Sequence, residues 1–172
     1  LRLAVFDLDY TVWKPEMYQI YGPPRRKTKG SRTVVTDRSG TEIEIFNGAD
    51  HALVHINDLR DNHGMNIEAA VASRTDEPEW AQQCMDWLTV GDGTNLTSCF
   101  AHVEIDFGDK QLHFRNLHRK TGIPYESMVF FDNEMRNITS VQKLGVKCIY
   151  TPDGMTRDAW EEALEAFGMS TN

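Results

Sequence analysis

The architecture of this 172-residue chain is set by Leu3-Ala4-Val5-Phe6-Asp7-Leu8-Asp9-Tyr10-Thr11. Four apolar residues predict a short buried strand, and two carboxylates follow it directly. Side chains that follow a buried parallel strand lie at the carboxyl edge of the sheet, where open α/β folds bind their ligands. One of the two acids could attack phosphorus, and the other could protonate the leaving oxygen and then activate water. A turn or helix-capping role is the alternative, because Asp is common in loops after strands.

Three further apolar runs predict buried strands, namely Ile67 to Ala72, Met128 to Phe131 and Val146 to Tyr150. Between and after them, apolar residues recur at helical spacing in four segments that begin at Leu53, Trp80, Ile138 and Trp160. Thr156 is placed to cap the last of these helices. Near-continuous apolar strands that alternate with amphipathic helices predict an α/β, Rossmann-like fold: a parallel sheet with helices on both faces, in a single domain over residues 1–172.

One region interrupts this alternation. The segments Thr33 to Asp37 and Thr41 to Phe46 are rich in β-formers and are joined by a short loop, which predicts a hairpin at about 31–47. Because it follows the first strand, we expect it to project from the carboxyl edge as a small flap over the site. The basic run Arg25 to Lys29 predicts a solvated loop, with attraction of an anionic substrate as the alternative. The stretch Thr89 to Thr97 predicts a surface loop.

Composition limits the classes of function. The chain is 40% hydrophobic and 26% charged, which is near globular averages, and its net charge of -8 disfavours nucleic acid and anionic membranes as partners. Its apolar runs are far shorter than the roughly 20 residues that cross a bilayer, and no signal peptide is visible. Its three cysteines are odd in number and widely spaced, which predicts reduced thiols. We expect a soluble, cytoplasmic monomer.

Candidate functional side chains also follow the other apolar runs. Ser73 could hold a phosphoryl oxygen or cap a helix, and Arg74 could make bidentate phosphate contacts or a surface ion pair. Lys110, just before a predicted helix, could neutralise a phosphate and a nucleophile, although most lysines are solvated. Asp132 and Asn133 offer oxygens that suit magnesium, with capping of the next helix as the alternative. Their order along the chain places all of them at one edge of the sheet.

This set resembles the four motifs of the haloacid dehalogenase superfamily of phosphohydrolases, in the same order: Asp7-x-Asp9-x-Thr11, Ser73, Lys110 and Asp132-Asn133. Longer matches resemble the eukaryotic magnesium-dependent phosphatase family: Asp7-Leu8-Asp9-Tyr10-Thr11-x-Trp13, Ala72-Ser73-Arg74-Thr75, His118-x-Lys120-Thr121-Gly122 and Met128-Val129-Phe130-Phe131-Asp132. The resemblance extends from about Leu3 to Gly154.

The resemblance implies a magnesium-dependent phosphomonoester hydrolase that works through an aspartyl phosphate and has little or no cap. Members of the family are described as acting on phosphotyrosine-like compounds and on sugar phosphates attached to protein amines. The expected partner is therefore a phosphorylated small molecule or protein side chain. A phosphatase with an aspartate nucleophile is the expected enzyme, and Mg²⁺ is its expected cofactor.

The resemblance also assigns roles to the individual residues. The expected catalytic pair is Asp7 as nucleophile and Asp9 as acid and base. The residues expected to contact phosphate are Leu8, Ser73, Arg74 and Lys110. The residues expected to hold the metal are Asp7, Asp9 through its backbone carbonyl, Asp132 and Asn133.

Asn133 is the one departure from the family pattern, which usually has two aspartates. By alignment this second position is the direct magnesium ligand, and Asn brings a neutral oxygen in place of a charged one. The site should then hold magnesium more weakly unless waters or Asp132 compensate. A similar Asp-Asn pair occurs in active phosphatases that act on the RNA polymerase tail. The alternatives to hydrolysis are a pseudo-phosphatase that binds phosphorylated protein without turnover, and a transferase of phosphoryl or acyl groups.

Four other side chains have open interpretations. Tyr10 and Trp13 follow the first acids closely, so they could form an aromatic wall for a substrate or pack the loop itself. His51 and His55 lie four residues apart on a predicted helix, a spacing that suits zinc. With no third ligand nearby in the sequence, a solvated helix face is the interpretation we favour for the two histidines.

Overall fold

The computed structural model describes residues 1–30 and 32–170 of the chain. Its strands and longer helices follow one another in this order: β1 (Leu3–Phe6), β2 (Trp13–Lys14), β3 (Arg25–Lys29), β4 (Arg32–Thr36), β5 (Glu42–Ile45), α1 (Asn47–Asp61), β6 (Glu68–Ser73), α2 (Pro78–Trp87), α3 (Leu96–Cys99), β7 (Phe100–Ile105), α4 (Lys110–Thr121), β8 (Met128–Asp132), α5 (Met135–Gln142), β9 (Lys147–Tyr150) and α6 (Arg157–Ala166). Two short 3₁₀ helices occupy Met17–Gln19 and Tyr125–Ser127.

Five strands form a parallel sheet in the order β7-β6-β1-β8-β9, so β1 lies at its centre. Successive residues of a strand point to opposite faces of a sheet. Leu3 and Val5 accordingly pack into one core with residues of α4 and α5, whereas Ala4 and Phe6 pack into the other with residues of α1 and α6. The predicted α/β fold with helices on both faces is confirmed.

The sequence pattern does not predict β7, an edge strand of this sheet. His102 and Glu104 interrupt it, so it lacks the continuous apolar run that marks strands buried on both faces. Two of its polar side chains pair with neighbours: His102 Nε2 lies 3.0 Å from a carboxylate oxygen of Glu68, and Glu104 forms an ion pair with Lys120.

The bounds of the four predicted strands differ from the observed bounds by one residue at most. The difference matters for the site, because Ser73 and Asp132 are each the last residue of a strand rather than the first residue after one. Both side chains are therefore buried at the edge of the sheet.

The other four strands form a small antiparallel sheet in the order β2-β5-β4-β3. Val35 of β4 lies opposite Ile43 of β5, which confirms the predicted hairpin. Residue 31, at the start of the predicted flap, lies outside the described residues, as do residues 171 and 172 at the end of the predicted domain.

The prediction of a loop at Arg25–Lys29 is wrong, because this run is strand β3. It pairs with β4 along its whole length, and all five of its residues are exposed at the outer edge of the small sheet. The backbone ladder to β4 holds the run extended. Basic side chains on an edge strand also discourage pairing with another chain.

Asp37 ties the hairpin to the segment that precedes β3. Its carboxylate accepts hydrogen bonds from the backbone N–H groups of Tyr21 and Thr41, each at 2.9 Å, and from the hydroxyl of Ser39 at 2.7 Å. Burial by itself would raise the pKa of Asp37, but these hydrogen bonds outweigh burial and lower the pKa to about 2. The group is therefore an ionised carboxylate near neutral pH, and the ionised form is the better acceptor of these hydrogen bonds.

The stretch Thr89 to Thr97 is more ordered than the predicted surface loop. Val90 and Leu96 are buried, and the short helix α3 begins at Leu96. The side chain of Asn95 caps this helix by accepting a hydrogen bond from the N–H of Thr97 at 3.0 Å. A single capped turn lacks the repeated apolar spacing by which longer helices are predicted.

Two smaller expectations, on a helix cap and on the cysteines, are met. The hydroxyl of Thr156 accepts a hydrogen bond from the N–H of Ala159 at 3.1 Å, so it caps α6 as predicted. All three cysteines are free and buried. Within the described part of the chain, none of the helices combines the length and the apolar character needed to cross a bilayer.

Gly48 provides a test of how closely α1 and α6 approach. In a helix, Ala is usually more stable than Gly by about 0.5–1 kcal/mol. Here, however, a Cβ on Gly48 would lie 2.2 Å from the backbone carbonyl carbon of Thr156 and 2.4 Å from the carbonyl oxygen of Met155. Because backbone atoms cannot swing aside, we expect Gly48→Ala to lower the free energy of unfolding by roughly 1–3 kcal/mol, measured by thermal and urea denaturation.

The matched control is Gly91→Ala. A Cβ at Gly91 would meet only the carboxylate of Asp50, at 3.0 Å, and that side chain can move. We expect this variant to unfold close to the wild type. Equal losses of stability in the two variants would show that the contact with the start of α6 does not determine the requirement for glycine at position 48.

Candidate active site

A cleft of about 260 Å³ opens at the carboxyl edge of the parallel sheet. Six of the residues predicted to be functional line it, namely Asp7, Asp9, Ser73, Arg74, Lys110 and Asn133. They come from the ends of β1, β6 and β8 and from the first turn of α4. Leu8 and Asp132, the other two predicted site residues, are fully buried beneath its surface.

Asp7 follows β1 and continues its pairing, since its N–H donates to the carbonyl of Phe131 at 3.0 Å. Its side chain is largely buried, and one carboxylate oxygen accepts a hydrogen bond from Nζ of Lys110 at 2.6 Å. Burial raises the pKa of Asp7 above its ordinary value, and the ammonium of Lys110 acts in the opposite direction. The backbone at this position is fixed by the centre of the sheet, so the carboxylate has a defined place.

Lys110 is the first residue of α4 and is almost completely buried. The preceding residue, Asp109, caps the helix by accepting a hydrogen bond from the N–H of Gln111 at 3.1 Å. Nζ of Lys110 donates to Asp7 and to the carbonyl of Ala72, and it also forms an ion pair with Asp132 at 3.2 Å. These three acceptors match the three protons of the ammonium, which is how a buried charge is stabilised.

The carboxyl group of Asp9 is held by the segment that follows it. One oxygen accepts a hydrogen bond from the indole Nε1 of Trp13 at 2.9 Å, and the other accepts one from the N–H of Met17 at 3.2 Å. Burial raises the pKa of Asp9, while these two hydrogen bonds lower it. The net effect is a pKa above the ordinary value of an aspartate.

Of the two alternatives for the aromatic residues after the first acids, the structure favours packing of the loop over an aromatic wall. Trp13 is fully buried, and Tyr10 packs edge-to-face on Phe46 with ring centroids 5.5 Å apart. Neither lines the cleft, and the aromatic ring that does so belongs to Tyr18. His55 is also not free in solvent, because its Nδ1 accepts a hydrogen bond from Trp160 at 3.0 Å.

Asp132 and Asn133 have different environments although they are adjacent. Asp132 is fully buried; its carboxylate accepts hydrogen bonds from the N–H of Glu134 at 2.7 Å and from Nδ2 of Asn137 at 2.9 Å, and it pairs with Lys110. Asn133 lines the cleft, and its N–H donates to the hydroxyl of Thr11 at 3.2 Å. Of these two adjacent residues, Asn133 is therefore the one that faces the cleft.

The residues predicted to contact phosphate occupy different depths. Ser73 is buried at the end of β6, where its hydroxyl accepts a hydrogen bond from the N–H of Thr75 at 3.3 Å, and Arg74 is exposed at the rim. Leu8 is buried, and its carbonyl accepts a hydrogen bond from the N–H of Val12 at 2.8 Å. Any contact between Leu8 and phosphate must therefore come from its backbone.

The predicted flap does not cover the cleft. Within the described part of the 31–47 span, no residue lines the cleft. Glu16 and Tyr18 line it instead; Glu16 caps the 3₁₀ turn that follows β2, and Tyr18 lies within that turn. The hairpin instead supports this segment, because Asp37 and Arg38 both hydrogen-bond to the backbone of Tyr21. The sequence gives only a weak indication of these two residues, namely that an acidic and an aromatic side chain follow closely after the first motif.

Comparisons with known proteins identify the family of the chain. A family model described as Acid Phosphatase matches residues 1–170. Magnesium-dependent phosphatase 1 of Homo sapiens is 39% identical over 166 residues, which cover 96% of this chain and 86% of the human protein. A HAD-like hydrolase superfamily protein of Schizosaccharomyces pombe is 33% identical over 148 residues, which cover 84% of this chain and 82% of that protein.

Solved structures show the same fold. The N-terminal part of protein BF1531 from Bacteroides fragilis, described as containing a phosphatase domain complexed with Mg, matches with a TM-score of 0.60 at 16% identity. The match covers 99% of this chain and 41% of that longer chain, and at this identity it supports the fold alone. The family model and the relatives, which match most of the chain, provide the assignment. The chain therefore belongs to the acid phosphatase family, among the phosphatases of the haloacid dehalogenase superfamily.

Proposed function

We propose that the chain is a magnesium-dependent phosphomonoester hydrolase that forms an aspartyl phosphate on Asp7. The observation that carries the proposal is the position of the Asp7 carboxylate, which lines the cleft after the central strand and lies 2.6 Å from the buried ammonium of Lys110. Asp9 lines the same cleft. A nucleophile beside a fixed positive charge, with a second carboxyl group in the same loop, supplies the groups that two-step phosphoryl transfer requires.

In the first step an oxygen of Asp7 attacks phosphorus, the bond from phosphorus to the leaving oxygen breaks, and Asp9 gives its proton to that oxygen. In the second step a water oxygen attacks the phosphorus of the aspartyl phosphate. Asp9 takes a proton from this water, the bond from phosphorus to Asp7 breaks, and inorganic phosphate leaves. The raised pKa of Asp9 suits the first step, because it favours the protonated acid.

The phosphoryl oxygens would be held by groups at three depths of the cleft. Lys110 at the base supplies a positive charge, and the hydroxyl of Ser73 can donate a hydrogen bond. Arg74 at the rim, with its planar fork of donors, can bind an approaching phosphate in a bidentate manner. The backbone of Leu8, between the two catalytic acids, is the fourth proposed contact.

Mg²⁺ is the cofactor that fits this site. Asp7 and Asp132 are both buried, and among the described residues the one ammonium that pairs with them belongs to Lys110. Two carboxylates that share one ammonium leave excess negative charge, which a divalent cation would balance. Asp7, the backbone carbonyl of Asp9 and the side-chain oxygen of Asn133 would hold it as hard oxygen ligands. When bound, the cation would screen the nucleophile from the phosphoryl oxygens.

Asp132 would act on the cation indirectly. In the described structure its two carboxylate oxygens are occupied by the N–H of Glu134, by Asn137 and by Lys110. Its negative charge still lies next to the site and partly replaces the charge that Asn133 lacks. The proposed metal ligand set is therefore smaller by one side chain than the sequence predicts.

The rim of the cleft bears on the class of substrate. A volume of about 260 Å³ is below the ~300 Å³ of common small-molecule pockets, so it suits a phosphate group with the rest of the substrate outside. Tyr18 at the rim is 65% exposed and offers a ring face to an aryl or sugar group. No described hairpin residue covers the cleft. We therefore propose phosphotyrosine-like compounds and protein-linked sugar phosphates as substrates.

A pseudo-phosphatase is the second candidate, and the neutral side chain of Asn133 is the feature that favours it. The arrangement around Asp7 argues against it, because binding alone would not require a carboxylate paired with a buried lysine. A monomeric state and a cytoplasmic location stay predictions; three free, buried cysteines are compatible with a reducing compartment.

Replacing the nucleophile is the direct test of the proposed function. We expect wild-type protein to hydrolyse p-nitrophenyl phosphate only with Mg²⁺ present, and Asp7→Asn to lower kcat by about a thousandfold or more, because an amide cannot form the aspartyl phosphate. The matched control is Asp153→Asn, which removes an exposed carboxylate and should leave kcat unchanged. Full activity of Asp7→Asn would exclude the proposed nucleophile.

Isotopic water distinguishes hydrolysis from transfer to another acceptor. In ¹⁸O-labelled water, a single turnover of a phosphomonoester should place one labelled oxygen in each released phosphate, because water attacks phosphorus in the second step. Mass spectrometry of the phosphate measures this. Release of unlabelled phosphate would contradict attack of water on phosphorus, and a phosphorylated acceptor in place of phosphate would favour a transferase.

Asn133→Asp tests the neutral metal ligand. Restoring a carboxylate should tighten Mg²⁺ binding by roughly an order of magnitude, because charge on the ligands sets the affinity of oxygen sites. Titration calorimetry with Mg²⁺ measures the effect, and Gln142→Glu is the control that adds the same charge at an exposed position at the end of α5. If both variants bind Mg²⁺ as the wild type does, Asn133 is not a ligand.

A further inference from the structure

We propose that Trp13 is a positioning residue for Asp9, which directs the Asp9 carboxyl group toward the leaving oxygen of the substrate. The inference rests on the proposed function, in which Asp9 protonates that oxygen. Trp13 itself does not line the cleft and does not touch the reacting atoms. It lies in β2, outside the strand ends that carry the predicted site residues.

The contacts of Asp9 define its orientation. Its two carboxyl oxygens accept hydrogen bonds from two different donors, the indole Nε1–H of Trp13 at 2.9 Å and the backbone N–H of Met17 at 3.2 Å. A single donor would leave the group free to rotate about the donated bond. Two donors, one at each oxygen, fix the plane of the carboxyl group.

Trp13 is itself held firmly. Its side chain is fully buried, and its backbone pairs with Ile45 of β5 and donates to the carbonyl of Leu8 at 3.3 Å. The indole N–H is the one polar group of the ring, and a buried N–H is costly without an acceptor. Asp9 is the acceptor that the structure gives it, so the ring and the acid restrain one another.

The same segment also reaches the rim of the cleft. Met17, the second donor to Asp9, is the first residue of the 3₁₀ turn that includes Tyr18, and Tyr18 lines the rim. Asp9 and Tyr18, which both line the cleft, are therefore linked through one short segment that contains Trp13 and Met17.

The predicted consequence depends on the leaving group. A p-nitrophenolate departs readily without a proton, whereas phenolate is a poorer leaving group and gains more from general-acid catalysis, which typically contributes 10²–10⁴-fold. Loss of the indole N–H should therefore slow the cleavage of phenyl phosphate more than that of p-nitrophenyl phosphate. A general loss of structure would slow both equally.

The test compares kcat/KM of wild type and Trp13→Phe for these two substrates with Mg²⁺ present. This ratio reports the steps up to departure of the leaving group, so the later attack of water does not affect it. We expect a loss of about tenfold or more for phenyl phosphate and of less than about threefold for p-nitrophenyl phosphate. Equal losses for the two substrates, or no loss, would overturn the role of Trp13.

Two further variants separate positioning from folding. Ile43→Ala removes a buried side chain from the same core without touching the hydrogen bond, so any loss it causes should be equal for both substrates. If Trp13→Phe does not fold, site-specific replacement of Trp13 by benzothienylalanine keeps the shape of the ring and removes only the N–H, and the same criterion applies to it. A wild type with no activity on either aryl phosphate would instead contradict the proposed function.

Discussion

The ammonium of Lys110 is the interaction on which the rest of the site depends. It is buried at the start of α4, and it joins the carboxylates of Asp7 and Asp132 to the carbonyl of Ala72. A buried charge is tolerated only with full pairing, so the ends of β1, β6 and β8 must meet around it. The pairing of Lys110 therefore determines both how α4 packs on the sheet and how the residues of the cleft are arranged. A single ammonium cannot neutralise both carboxylates, and this imbalance is what makes the cleft suited to a cation.

The contrast between Asp132 and Asn133 follows from the geometry of the strand end. Successive residues of a strand point in opposite directions, and β8 ends at Asp132, so the carboxylate turns inward to Lys110 and Asn137 while the next residue lines the cleft. A substitution of Asn133 would change the oxygen ligand that is proposed for the cation. The inner network, which orients Lys110, is untouched by it. Under the proposed function, a substitution at position 133 would therefore change a metal ligand and leave the nucleophile in place.

The parts of the structure that the sequence predicts are those fixed by local pattern. Apolar runs mark the strands buried on both faces, and parallel strands bring the residues at their ends to one edge, so the meeting of Asp7, Ser73 and Asp132 at that edge follows from the predicted topology. Lys110 reaches the same edge from the start of α4, which follows the strand that the pattern does not predict. The parts it does not predict depend on partners distant in sequence. Strand β3 is extended because β4 pairs with it, and the polar residues His102 and Glu104, which interrupt the apolar run of β7, pair with Glu68 and Lys120. The lining role of Tyr18 depends on how the hairpin holds Tyr21, which no spacing reveals.

The contacts of the small antiparallel sheet indicate a role different from the one that its sequence suggests. A hairpin that follows the first strand suggests a lid, but Val35 and Ile43 are buried in the same core as the central sheet, and its described residues do not line the cleft. The small sheet supports the segment after the first motif. Strand β5 pairs with β2, which carries the indole that hydrogen-bonds to Asp9, and Asp37 accepts a hydrogen bond from the segment beyond the 3₁₀ turn. Because this small sheet does not close over the cleft, exclusion of water during phosphoryl transfer must come from the narrow cleft and from the bound substrate. A site built in this way favours phosphate groups that can enter a narrow cleft while the remainder of the molecule rests outside it.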